Sequence, residues 1–136
     1  MKMPKLSLTM SVTLLALVGC GGQFGPGWSS VSTSTCASGS QWTGGNEESS
    51  EMNPGQDCIA CHARGEGPRF GAAGTVFKDR HEADNCGGVG NLKVELTGAD
   101  GKVVTMTTNQ AGNFSTRTAI ATPYKARVIS GSLVRE

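Results

Sequence analysis

The residues able to do chemistry gather in one stretch, Met52-Asn53-Pro54-Gly55-Gln56-Asp57-Cys58-Ile59-Ala60-Cys61-His62. Two thiols stand two residues apart, and a histidine directly follows the second. That spacing lets each sulfur add to one vinyl group on one side of a porphyrin, while the imidazole meets the iron as proximal axial ligand. The expected cofactor is therefore one covalent haem c, attached at Cys58 and Cys61 and ligated by His62. Covalent attachment holds a cofactor without a large pocket, which suits a short chain with 20 glycines. Five residues are a short motif, so its weight rests on the rest of the chain.

Few residues can take the sixth iron position. His81, in Lys78-Asp79-Arg80-His81-Glu82, is the only other histidine and ranks first. Met52, ahead of the motif on the Asn53-Pro54 turn, ranks second, and an open or water-bound site third. Met106 has the phase of a core residue on its strand. A methionine ligand would raise the potential and a second histidine would lower it.

The elements that position these residues begin with an export signal. Lys2 and Lys5 precede an apolar stretch from Leu6 to Val18, too short for the roughly 20 residues of a membrane-spanning helix. It ends Leu17-Val18-Gly19-Cys20, which resembles a bacterial lipobox; the resemblance implies cleavage before Cys20 and acylation of its sulfur. Several acyl chains anchor stably where one would be marginal. The expected location is thus outside the cytoplasm, on the periplasmic or outer surface of a bacterial membrane, the outer membrane foremost. Of 5 cysteines, Cys20 goes to lipid and Cys58 and Cys61 to haem, which leaves Cys36 and Cys86 to pair in an oxidising compartment.

With 136 residues the chain is long enough for one small domain, and 12 basic against 11 acidic residues give no field for nucleic acid. After a signal peptide over 1–19, residues 20–50 are rich in Gly, Ser and Thr and read as a flexible tether holding Trp28 and Trp42. Residues 51–70 are the haem-attachment segment, with a helical turn or two between Gln56 and Ala63 and Asp57 favourable near its start. Residues 71–136 read as β. Gly71 to Phe77 opens a strand, and a polar loop over 78–90 holds His81 and Cys86. Leu92, Val94 and Leu96 then alternate with Lys93, Glu95 and Thr97. Ala99-Asp100-Gly101 is a hairpin turn leading to Val103–Thr108. Further strands follow at Phe114–Thr118 and Tyr124–Val128. The expected fold class is mainly β, a small antiparallel sandwich, with no long amphipathic helix.

Several of these pieces, in order, resemble the carboxypeptidase regulatory-like, transthyretin-type β-sandwich. They are Ala73-Gly74-Thr75-Val76, Val94-Glu95-Leu96, Asp100-Gly101-Lys102, Thr108-Asn109-Gln110-Ala111-Gly112-Asn113-Phe114 and Tyr124-Lys125-Ala126-Arg127-Val128. The resemblance covers roughly Gly71 to Gly131 and departs from the family at the inserted loop 78–90. It implies a non-catalytic module, and no nucleophile–base pair suggests an enzyme. The whole layout is similar to bacterial haem-binding lipoproteins that place M-x-P-G-x-x-C-x-x-C-H ahead of such a sandwich. In that family a second C-x-x-C-H often follows the last strand. This chain stops at Val134-Arg135-Glu136, which resembles a one-haem or truncated member.

The leading expectation is a membrane-tethered cytochrome that exchanges electrons with redox proteins, other multihaem cytochromes among them, through weak docking at an exposed haem edge. Rival readings stand beside it. Cys58, Cys61, Cys86 and His81 or His62 could hold zinc, although a second close cysteine pair is missing. A thiol–disulfide oxidoreductase would need a βαβ context that the pattern lacks. A binding module using Trp28 and Trp42, or a haem sensor with an open sixth site, completes the set.

Overall fold

The structure, a computed structural model, describes residues 35–45 and 48–136. The expected signal peptide, lipid-bearing Cys20 and Trp28 lie outside the described residues. What is described is mainly β, with two antiparallel sheets and a short helical segment ahead of them.

Alternating apolar residues build the larger sheet. Its strands are β2 (Lys93–Thr97), β3 (Val103–Thr107), β5 (Lys125–Ser130) and β6 (Leu133–Arg135), in the order β3-β2-β5-β6. The register sets Val94 opposite Met106 and Val128, and Leu96 opposite Val104 and Ala126. One face of β2 is thereby sealed, with Val94 1% and Leu96 3% exposed. On the other face Glu95 lies opposite Arg127, whose guanidinium approaches its carboxylate to 2.6 Å. The β2–β3 hairpin closes with the Gly101 amide donating to the Gly98 carbonyl, and Gly101 takes a φ of 77°.

The smaller sheet pairs β1 (Ala72–Thr75) with β4 (Asn113–Thr116). Ala72 joins Val94, Leu96 and Met106 in the core, and Phe114, Val76, Val104, Ile120 and Val128 pack against it. Met106 is core, as its phase suggested. Along β5–β6 the same face of the large sheet is open: Ala126 is exposed, and Leu133, opposite Ser130, is 72% exposed. The short strand β6 was not expected from the pattern.

Loop 78–90 is stapled to the chain ahead of the motif. Cys36 and Cys86 form the expected disulfide. Gln41 bridges Cys86, the Trp42 amide donates to the Asn85 carbonyl, and the Gly87 amide donates to the Ser40 carbonyl. The described part of the expected tether is thus laid along this loop from Cys36 to Trp42. The loop also presses on the β-corner that follows β3. A Cβ on Gly88 would lie 2.3 Å from the Ala111 carbonyl oxygen, and one on Gly112 would lie 2.7 Å from the Gly88 Cα.

Candidate functional site

The thiol-bearing segment starts in a turn that glycine and asparagine make possible. Asn53 and Gly55 take positive φ values of 46° and 89°, flanking a buried Pro54. The Gly55 amide donates to Thr75 Oγ1 at 2.8 Å, and the Pro54 carbonyl accepts from the Asn85 amide at 2.7 Å. The turn is therefore wedged between β1 and the stapled loop. Asp57 then caps one helical turn, α1 (Cys58–Cys61), accepting the Ala60 amide at 2.9 Å on its carboxylate. A wider π-type turn, His62–Glu66, continues it and is broken at Gly65, where φ is 96°.

His62 is held on two sides. Its Nδ1 lies 2.9 Å from the Pro68 carbonyl oxygen, and its ring centroid is 4.4 Å from that of Phe70. A carbonyl can only accept, so Nδ1 carries a proton and Nε2 is the nitrogen left to act as a ligand. Gly67 makes the approach possible: a Cβ there would fall 2.5 Å from Nδ1 and 2.6 Å from Cε1.

Cys58, Cys61, His62 and Met52 line one cavity of about 440 Å³, with Phe70 and Phe114 on its apolar wall. That is within the range of small-molecule and cofactor sites. Among the described residues Cys58 is the one free thiol, half-buried. Burial pushes its pKa up, and the neighbouring Asp57 charge adds to this against an opposing backbone hydrogen bond. Such a thiol is a poor thiolate nucleophile at neutral pH, which weakens the oxidoreductase reading. Cys61 is buried, accepts from the Arg64 guanidinium at 3.2 Å and is disulfide-bonded. Thioether formation consumes a thiol, so haem attachment concerns the chain with that bond reduced.

The two distal candidates stand differently. Met52 lines the cavity with His62, whereas His81 is exposed in loop 78–90 with a φ of 56° and does not line it. Trp42 packs beside Gly44 and also stays off the cavity wall. Nor does the structure assemble the zinc set of Cys58, Cys61, Cys86 and a histidine. Among the described residues the one trio with ligand atoms within 4.8 Å of one another is Cys36, Glu82 and Cys86, and its two sulfurs are bonded to each other. The Glu82 carboxylate accepts the amides of Ala37 at 2.6 Å and Ser38 at 2.9 Å.

Sequence reasoning did not single out Asn109, Asn113, Thr75, Pro68 or Gly67. Gly67 and Pro68 act locally on His62, while the roles of Asn109, Asn113 and Thr75 come from contacts across the fold. Asn113 Nδ2 donates to the Met52 carbonyl at 2.9 Å, and Asn109 Nδ2 donates to the Ser50 carbonyl at 2.6 Å. No protein-family model matches the chain, and no curated protein or solved structure does.

Proposed function

We propose that this chain is a c-type cytochrome, a non-enzymatic electron carrier with one haem joined covalently to Cys58 and Cys61. A lipid on Cys20 would hold it at the periplasmic or outer face of a bacterial membrane, within reach of redox protein partners. One observation carries the reading: His62, which shares a cavity with the two cysteines, donates Nδ1–H to the Pro68 carbonyl, which leaves Nε2 as the nitrogen able to ligate a metal. A histidine that ligates a metal through one nitrogen is ordinarily held by a hydrogen bond from the other.

With the Cys61 disulfide reduced, the donor set suits such a group. Cys58 and Cys61 sit at the two ends of α1 and both line the cavity, with His62 directly after. Phe70 and Phe114 offer the flat apolar contact a macrocycle needs, and Phe70 also limits rotation of the imidazole. When bound, haem iron supplies one-electron redox chemistry. The chain's part is to fix the ligand, exclude water from one side and set the polarity around the iron.

The test is production of the full chain in a bacterial host able to mature c-type cytochromes. The expected result is a red protein with an intense Soret band and an intact-mass gain of one haem that survives denaturation. Cys58→Ala and Cys61→Ala should each weaken covalent retention, and His62→Ala should abolish the low-spin spectrum. A colourless product with no mass gain overturns the proposal.

A further inference from the structure

Resting on the haem reading above, we propose that Asn113 is a positioning residue that holds Met52 as the sixth iron ligand, with Thr75 and Asn109 behind it.

The observations are a closed set of hydrogen bonds around Asn113. Its Nδ2 donates to the Met52 carbonyl at 2.9 Å and to the Ser50 carbonyl at 3.3 Å. Its Oδ1 accepts the Thr75 hydroxyl at 2.7 Å, and Thr75 Oγ1 in turn accepts the Gly55 amide at 2.8 Å. Carbonyls accept only, so the amide face toward Met52 must be the NH2, and this fixes the orientation of the whole group. The chain from Met52 to Gly55 is therefore gripped at both ends by β1 and β4.

The grip has its own backing. Asn109 Oδ1 accepts the Ala111 amide at 3.1 Å and the Asn113 amide at 3.0 Å, while its Nδ2 holds the Ser50 carbonyl. The two asparagines flank the same corner, closed by the Gly112 amide donating to the Asn109 carbonyl. The bonds from Asn113, Asn109 and Thr75 to the Met52 segment are all made to backbone, so they engage no atom of the Met52 side chain, and Met52 lines the cavity together with His62. His81 has no such hold and lies exposed in another loop. A thioether on a free turn would visit the iron only part of the time. On a segment tied to two strands, little conformational entropy is left to lose on ligation.

The experiment uses the matured, haem-bearing full chain and compares wild type with Met52→Ala, His81→Ala, Asn113→Ala and Thr75→Val. Readouts are the long-wavelength methionine-to-ferric-iron absorption band, carbon monoxide binding to the reduced protein, and the midpoint potential. Wild type and His81→Ala should show the band and resist carbon monoxide. Met52→Ala, which keeps every backbone contact to Asn113, should lose the band, bind carbon monoxide readily and fall in potential. Asn113→Ala should lose at least half of the band with haem content unchanged, and Thr75→Val should shift the same way by less. If Asn113→Ala does not fold, Thr75→Val decides the positioning role. A band that survives Met52→Ala, or a spectrum that changes with His81→Ala instead, overturns the ligand assignment. A full band in the folded Asn113 and Thr75 variants overturns the positioning role. Absence of haem altogether is a different failure, and it removes the underlying cytochrome reading.

Discussion

Gly67 lies against the His62 ring so closely that a methyl group in place of its hydrogen would sit 2.5 Å from Nδ1. Its φ of 170° is ordinary extended backbone, so the demand here is for space alone. Gly67→Ala should push the imidazole off the Pro68 carbonyl. The bond lost contributes about 1 kcal/mol, so the fold should survive while the matured protein shows a mixed high-spin spectrum. Absorption spectra of the purified variant, next to its melting curve, check this.

Burial of the Cys58 thiol predicts slow alkylation. With its pKa raised, the free thiol of the haem-free chain should react with iodoacetamide several-fold slower at pH 7 than a small reference thiol. The gap should narrow as pH is raised, because thiolate then becomes abundant in both. Equal rates at pH 7 would contradict the buried setting.

The acid limb of stability should depend on Glu82. Slight desolvation pushes its pKa up, but hydrogen bonds from Ser38, Ala37 and Ala83 outweigh it and leave the group below an ordinary glutamate. A carboxylate depressed in the folded state contributes stability that is complete above its unfolded pKa and disappears as pH falls through the folded one. Glu82→Gln should therefore narrow the difference between melting temperatures at pH 7 and pH 3, measured on the disulfide-intact protein. An unchanged difference would show that these hydrogen bonds carry no linkage.

Thr108 is 2% exposed, and its hydroxyl accepts the Leu92 amide at 2.9 Å while donating to the Val89 carbonyl at 2.7 Å. Thr108→Val keeps the shape and removes the partner of two partly buried backbone groups, the Leu92 amide and the Val89 carbonyl, at a cost of about 1 kcal/mol for each bond lost. Denaturant unfolding should show a lower midpoint with an unchanged slope.

Two glycines separate backbone strain from packing. Gly101 and Gly112 have φ values of 77° and 82°, but a Cβ on Gly101 meets nothing within 4 Å. Gly101→Ala should cost about 1–2 kcal/mol from the left-handed backbone alone. Gly112→Ala should cost distinctly more, since it also drives into Gly88. Parallel chemical denaturation of the two variants tests the ordering.

The large sheet was legible because period-two alternation in Leu92, Val94 and Leu96 admits one register and one buried face. The Cys36–Cys86 bridge was legible as a pairing in an exported chain, although the same reading left Cys61 out of any disulfide and the structure has it disulfide-bonded. The Asp57 cap followed from its place before the helical turn. Strand β6 was hidden: three exposed residues on a sheet edge carry no alternation to read. The asparagine grip was hidden for another reason. Asn113 and Met52 are 61 residues apart, and a side-chain amide bonding a distant carbonyl leaves no local pattern. His81 is a case where residue type pointed one way and backbone placement another. The polar loop 78–90 was itself legible and His81 is exposed in it; what no periodicity encodes is how that loop closes onto Pro54 and Ser40, away from the cavity that His62 lines.

Strand β2 has a neighbour on each side and holds the two most fully sealed residues of the sheet, Val94 and Leu96. Its amide protons should be the last to trade with deuterated solvent, on a clock set by global opening, while β6 exchanges early by fraying. The lifetime of the protons along β2 therefore reads out the integrity of the whole sheet.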